Sequence, residues 1–153
     1  MIHEIVPVGP LQCNCSILGD ETTREAIVVD PGDEIDEILA ILARHGLRLK
    51  YIVITHAHID HTGYLPRLRK QGFDGPVFCT PSTAELLGLL LPDCGHLQEE
   101  DAKFAAKKGF SKHHPPLPLY TADDAREVLR LLQPVEFDER VALADGLAFR
   151  YRP

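Results

Sequence analysis

Three imidazoles and a carboxylate fall between His56 and His61 in the run Thr55-His56-Ala57-His58-Ile59-Asp60-His61-Thr62-Gly63. His-x-His places two rings on the same side of an extended stretch. Asp60 and His61 add a carboxylate oxygen and a third ring nitrogen after the chain turns. Nitrogen and oxygen donors at roughly 2.0–2.2 Å suit zinc or another first-row divalent ion. Two ions about 3.5–4 Å apart can share such a loop and hold a hydroxide as nucleophile. A solvated histidine-rich turn is the ordinary explanation for one histidine. It is a poor one for His-x-His-x-Asp-His directly after an apolar run.

Those donors need a rigid platform. Leu49–Ile54, with Tyr, Ile, Val and Ile in succession, reads as a strand buried on both faces. Upstream, Ile2–Val8, Cys15–Leu18 and Ala26–Val29 read as strands, the last ending at Asp30-Pro31-Gly32. Ile35, Ile38, Leu39 and Leu42 recur at helical spacing. Acids cluster at the start of that helix and Gly46 is its stop. Downstream, Tyr64–Lys70 reads as a short helix and Pro76–Cys79 as a strand. A helix opens at Thr80-Pro81 and ends near Leu91, and a separate charged helix covers Glu99–Lys108. Thr121-x-x-Asp124 is a capping box before another helix. Val135–Phe137, Val141–Leu143 and Leu147–Tyr151 read as a closing β-meander. The order predicts one layered domain of the α/β or mixed α+β class.

The loop THAHIDHTG resembles the metal-binding loop of the metallo-β-lactamase superfamily. The resemblance implies an αββα sandwich, of which residues 1–153 are the N-terminal portion. It assigns His56 and His58 to a first zinc and Asp60 and His61 to a second, one or two ions in all, with Asp60 also touching the nucleophilic water. Ile27-Val28-Val29-Asp30-Pro31-Gly32 looks like the strand and acidic turn before that loop, so Asp30 either supports the metal loop, caps the following helix, or does both. Residues 1–61, with Asn14-Cys15-Ser16-Ile17-Leu18, resemble the glyoxalase II-like thioesterase branch. Residues 62–153 resemble the β-CASP branch of RNA-processing nucleases through Gly63-Tyr64-Leu65-Pro66-Arg67-Leu68, Gly75–Thr80, Cys94–Ala102 and Pro118–Thr121. The resemblance therefore implies a hydrolase acting on RNA phosphodiesters, with a small thioester as the alternative substrate and a metal-binding fragment without turnover as a third reading.

The superfamily completes its site with a further His, a bridging Asp and a last His downstream of a meander like Val141–Tyr151, which the resemblance would put after Arg152-Pro153. The expectation is therefore weak metal binding, little turnover, and self-association through an open C-terminal sheet edge. Among the remaining candidates, Tyr64 either lines the cleft on the substrate side or packs in the core, and His96 reads as structural more simply than as a substrate-side residue. His113 and His114 read as solvated, and Asp145 as a turn residue. Lys103, Lys107, Lys108 and Lys112 could meet a phosphate backbone, but a solvated helix face balanced by Glu99, Glu100 and Asp101 explains them more simply.

Across 153 residues, 16 Lys+Arg stand against 23 Asp+Glu, a formal charge of −7. Composition thus gives no support for a general nucleic-acid footprint, leaving only a local patch. No apolar stretch approaches the roughly 20 residues of a membrane span. The N-terminus lacks the pattern of a signal peptide. Cys13, Cys15, Cys79 and Cys94 form no Cys-x-x-Cys pair and read as free thiols of a cytoplasmic protein. Cys13-x-Cys15 is at most a weak signal for a soft metal.

Overall fold

A computed structural model describes residues 1–109, 114–144 and 146–153. Lys112, His113 and Asp145 lie outside the described residues. Six strands form one sheet in the order β1 (Ile2–Val8), β2 (Cys13–Gly19), β3 (Glu25–Val29), β4 (Arg48–Val53), β5 (Val77–Cys79) and β6 (Leu132–Pro134). The first three pair antiparallel, while β3, β4, β5 and β6 run parallel. Strands β7 (Val141–Ala144) and β8 (Leu147–Phe149) form a separate antiparallel hairpin.

The central parallel strands β3, β4 and β5 bury residues on both faces, as their apolar runs require. Ala26, Val28, Ile52, Ile54, Val77 and Cys79 belong to a core shared with the helices. Their alternating neighbours Ile27, Val29, Tyr51, Val53 and Phe78 belong to a second cluster with Leu143, Leu147, Phe149 and Tyr151 of the hairpin and tail. The layers are therefore helices, sheet and hairpin. The expected meander is corrected in one respect. Its first strand lies at Leu132–Pro134 and joins the main sheet beside β5, because the short turn after helix α5 (Ala122–Leu129) delivers the chain parallel to that edge.

Helix α1 (Ile35–Arg44) buries Ile35, Ile38, Ile41 and Leu42. Helix α3 (Leu65–Lys70) buries Leu65 and Leu68. The two helices expected on either side of residues 92–98 are one, α4 (Pro81–Lys108), with Pro92 inside it. Pro92 lacks the amide that would bond the Gly88 carbonyl. Tertiary contacts outweigh that loss. Thr83, Leu87, Leu91 and Gly95 are buried at four-residue spacing. A Cβ on Gly95 would sit 2.6–2.7 Å from the backbone of Thr121 and Ala122, so only glycine allows this approach. Gln98 Oε1 accepts from the Leu119 and Tyr120 amides at 3.1 and 3.4 Å, and Glu99 Oε2 from the Ala122 amide at 3.3 Å. The segment read as a break is thus tied directly to the start of α5, whose capping box is formed by Thr121 and Asp124.

Among the described residues, no helix is long and apolar enough to cross a membrane.

Candidate metal centre

In open sheets of this kind, ligands gather beyond the C-terminal ends of parallel strands. Asp30 directly follows β3, and Thr55–His61 follow β4. Residues Ile59–Thr62 form a one-turn helix, α2, where the sequence predicts a loop. Gly32 holds the two loops together. A Cβ there would lie 1.6 Å from the Asp60 carbonyl oxygen, so any side chain would drive the acidic turn away from the ligand loop.

Asp30 is 4% exposed and sits at φ +54, a left-handed conformation that aspartate tolerates better than most residues. Its amide donates to the Val53 carbonyl at 3.1 Å. Its carboxylate accepts from the Thr55 amide at 2.8 Å and from the Thr55 hydroxyl at 2.6 Å. It does not cap helix α1, whose N-cap is Glu34 with no side-chain cap. Of the two roles open to Asp30, the geometry is that of loop support.

The hydroxyl bond fixes a tautomer. Thr55 Oγ1 has one hydrogen, which goes to the Asp30 carboxylate. Thr55 Oγ1 also lies 2.8 Å from His56 Nδ1, so it must accept there. His56 therefore carries its proton on Nδ1 and presents the lone pair of Nε2, which faces His58 Nδ1 at 3.2 Å. Burial first, then the neighbouring His61 and His58, hold the His56 pKa below its ordinary value and favour that neutral ring.

His61 packs its ring 4.1 Å, centroid to centroid, from His56. Its Nδ1 lies 3.0 Å from Asp30 Oδ2, yet this buried nitrogen makes no hydrogen bond, because the contact lacks the required direction. Its Nε2 is 3.7 Å from Asp60 Oδ2. Asp60 in turn accepts from the Cys13 thiol at 2.9 Å. That contact is the chief reason the Asp60 carboxyl is held below its usual range and the Cys13 thiol pushed up. Two triplets of donors have all their atoms within 4.8 Å of one another: Asp30, His56 and His61, and Cys13, Asp60 and His61. The donor chemistry, and an orphaned buried ring nitrogen at its centre, fit a divalent metal.

His56 and His61 come together with Asp30, Asp60 and His61 with Cys13, and His58 meets His56 at 3.2 Å but lies in neither triplet. Tyr64 caps α3 and packs against the helical core, where burial and a hydrogen bond to Asp33 raise its pKa. His96 is exposed on α4 and is outside both triplets. His114 is exposed. Lys103 is paired with Glu100 at 2.8 Å, as expected for a solvated helix face. The residue that sequence reasoning missed is Cys13. Its only signal was Cys13-x-Cys15, and the partner Asp60 is 47 residues away.

A mostly parallel sheet with helices on one face, and with imidazole and carboxylate donors gathered at its strand ends, defines a layered α/β protein with a candidate cation site. Residues 8–124 match the profile of the Metallo-beta-lactamase superfamily, and the chain belongs to it. It is 33% identical over 99 residues to Ribonuclease TTHA0252 of Thermus thermophilus, an alignment covering 64% of this chain and 19% of the relative. It is 33% identical over 90 residues to Hydroxyacylglutathione hydrolase GloC of Haemophilus influenzae, covering 59% of this chain and 42% of the relative. The crystal structure of TTHA1623 in a di-iron-bound form superposes with a TM-score of 0.54 at 30% identity, over 90% of this chain and 56% of that one. The chain spans less than half the length of the curated relatives it matches.

Proposed function

We propose that this chain carries the metal centre of a metal-dependent hydrolase acting on RNA phosphodiesters. The observation that carries the reading is the convergence of His56, His58, Asp60 and His61 at the end of β4, with His56 oriented through Thr55 by buried Asp30. His56, His58, Asp60 and His61 would hold the ion, taken as zinc, with iron or another first-row divalent ion as the alternative. Such an ion, when bound, polarises a phosphoryl or carbonyl oxygen and lowers the pKa of water. Asp30 fixes the tautomer of His56, and Asp60 keeps a carboxylate at the cluster. Similarity to a protein named as a ribonuclease supports RNA as substrate. Similarity to a hydroxyacylglutathione hydrolase supports the second reading, a small thioester. A reducing, cytoplasmic setting belongs to the same proposal and is supported by the free thiols.

The test offers the zinc-loaded chain single-stranded RNA and S-lactoylglutathione in parallel. RNA cleavage that is slow, as expected of this chain, and lost in Asp60→Asn, with the thioester untouched, is the expected result. Thioester turnover without RNA cleavage would replace the reading with the second. Metal uptake with turnover of neither would leave a metal-binding role without catalysis. Asp30→Asn should weaken metal binding by about 10–100-fold if the Thr55 relay orients His56, and leave it unchanged if it does not.

A further inference from the structure

Cys13 opens strand β2, and the register of that strand explains why it reaches the metal loop. Ser16 pairs antiparallel with Val29, the last residue of β3. Continuing β2 back toward its start carries the chain past the end of β3, over the loops that hold Asp30 and Asp60. Cys13 and Cys15 share a strand face, yet their surroundings differ. Cys15 and Cys79 are sealed in the apolar core at 0% exposure, and burial pushes their thiols up to about 12 and about 11. Cys94 packs half-buried on α4. Cys13 instead aims its sulfur at Asp60 Oδ2, 2.9 Å away, and that oxygen is 3.7 Å from His61 Nε2.

We propose that Cys13 is a metal ligand, forming with Asp60 and His61 a sulfur–oxygen–nitrogen site for a thiophilic divalent cation such as zinc. This rests on reading the loop as a metal centre, and it adds a donor from a strand outside that loop. Bonds of about 2.0–2.3 Å to a tetrahedral ion put donor atoms roughly 3.3–3.7 Å apart. The Asp60–His61 spacing already matches, and the sulfur–oxygen pair has only to open by tenths of an ångström. Forming the sulfur–metal bond breaks the S–H bond and releases that proton to solvent. A separate observation points the same way. The opposite nitrogen of the His61 ring is buried 3.0 Å from Asp30 Oδ2, and a carboxylate behind a histidine in this way turns the other ring nitrogen toward a cation.

Cobalt(II) titration of the full chain tests the assignment without reference to activity. The wild-type chain should develop a near-ultraviolet thiolate-to-cobalt charge-transfer band. Cys13→Ser and Cys13→Ala should lose the band. They should also bind cobalt more weakly by no less than the roughly 10–100-fold that loss of a supporting partner costs. Cys94→Ser should keep both. If the Cys13 variants fail to fold by circular dichroism, the wild-type chain gives the answer: bound zinc should protect Cys13 from iodoacetamide, read by peptide mass spectrometry. Cobalt bound without a thiolate band, a band that survives in folded Cys13→Ser, or alkylation of Cys13 unchanged by zinc overturns the assignment while the metal centre stands. Failure of the wild-type chain to take up any cobalt or zinc overturns both.

Discussion

The two faces of the central sheet are built from the same strands but not to the same depth. On the helical face, Ile52, Val77, Leu65, Leu87, Leu91 and Val128 are fully or almost fully enclosed in one continuous cluster. On the hairpin face the buried members are Ile27, Val53, Val135, Leu143 and Tyr151, joined by half-buried aromatics. Phe78 and Phe149 meet at 5.4 Å between ring centroids, as do Phe149 and Tyr151. Alternation along a strand gives each face equal access to side chains. What differs is what covers them. Among the described residues, four helices cover the first face and a two-stranded hairpin covers the second. The site stands at the strand ends, where the two faces meet.

This difference sets a hierarchy of responses to substitution. Leu87→Ala, at a wholly enclosed position, should lower the unfolding free energy by about 3 kcal/mol. Leu143→Ala, on the thinner face, should cost about 2 kcal/mol, because its surroundings can close on the space left behind. Urea unfolding of both variants measures the gap, and equal losses would show that the faces are equally packed. Tyr151 tests how the hairpin face is fastened. Its hydroxyl lies 2.9 Å from both the Ile54 and the Phe78 carbonyls, at the ends of β4 and β5. Tyr151→Phe should cost about 1–2 kcal/mol by leaving those carbonyls short of a donor. If it does, the tail fastens the strand ends beside the ligand loop, and amide exchange should quicken there before it does in the helices.

The smallest effect belongs to the helical face. Burial acts to raise the Asp124 pKa, but Lys70 at 2.9 Å and the Thr121 amide at 2.8 Å outweigh it, so the net shift is downward. A carboxylate whose folded pKa is depressed contributes stability above its unfolded pKa of about 3.9, and loses it as pH falls through the folded value. Asp124→Asn should therefore lower stability by about 1 kcal/mol at neutral pH, and the deficit should vanish in acid. A deficit that persists at pH 2 would point to lost shape rather than lost charge.

The legible parts of the molecule were those governed by near neighbours in the chain. The first five strands and α1 follow from local periodicity, and the ligand loop is contained in one run of residues. Asp30 was legible as an acidic turn after a strand, although only the Thr55 contacts separate support from capping. The rest depends on packing between distant segments. Pro92 argues for a break that the contacts of Gly95 and Gln98 overrule. Leu132–Pro134 is a weak strand by composition and is recruited by the open edge of β5. Cys13 reaches Asp60 because β2 runs antiparallel to β3, a fact of register that no spacing records.

The contact at Gly32 makes the acidic turn and the ligand loop move as one body. Their backbones touch with no side chain between them to bend or slide, so a shift of Asp30 is passed rigidly to Asp60. Such a joint behaves as a lever without backlash. Whatever pushes the end of β3 toward the loop presses on the spacing of the donors.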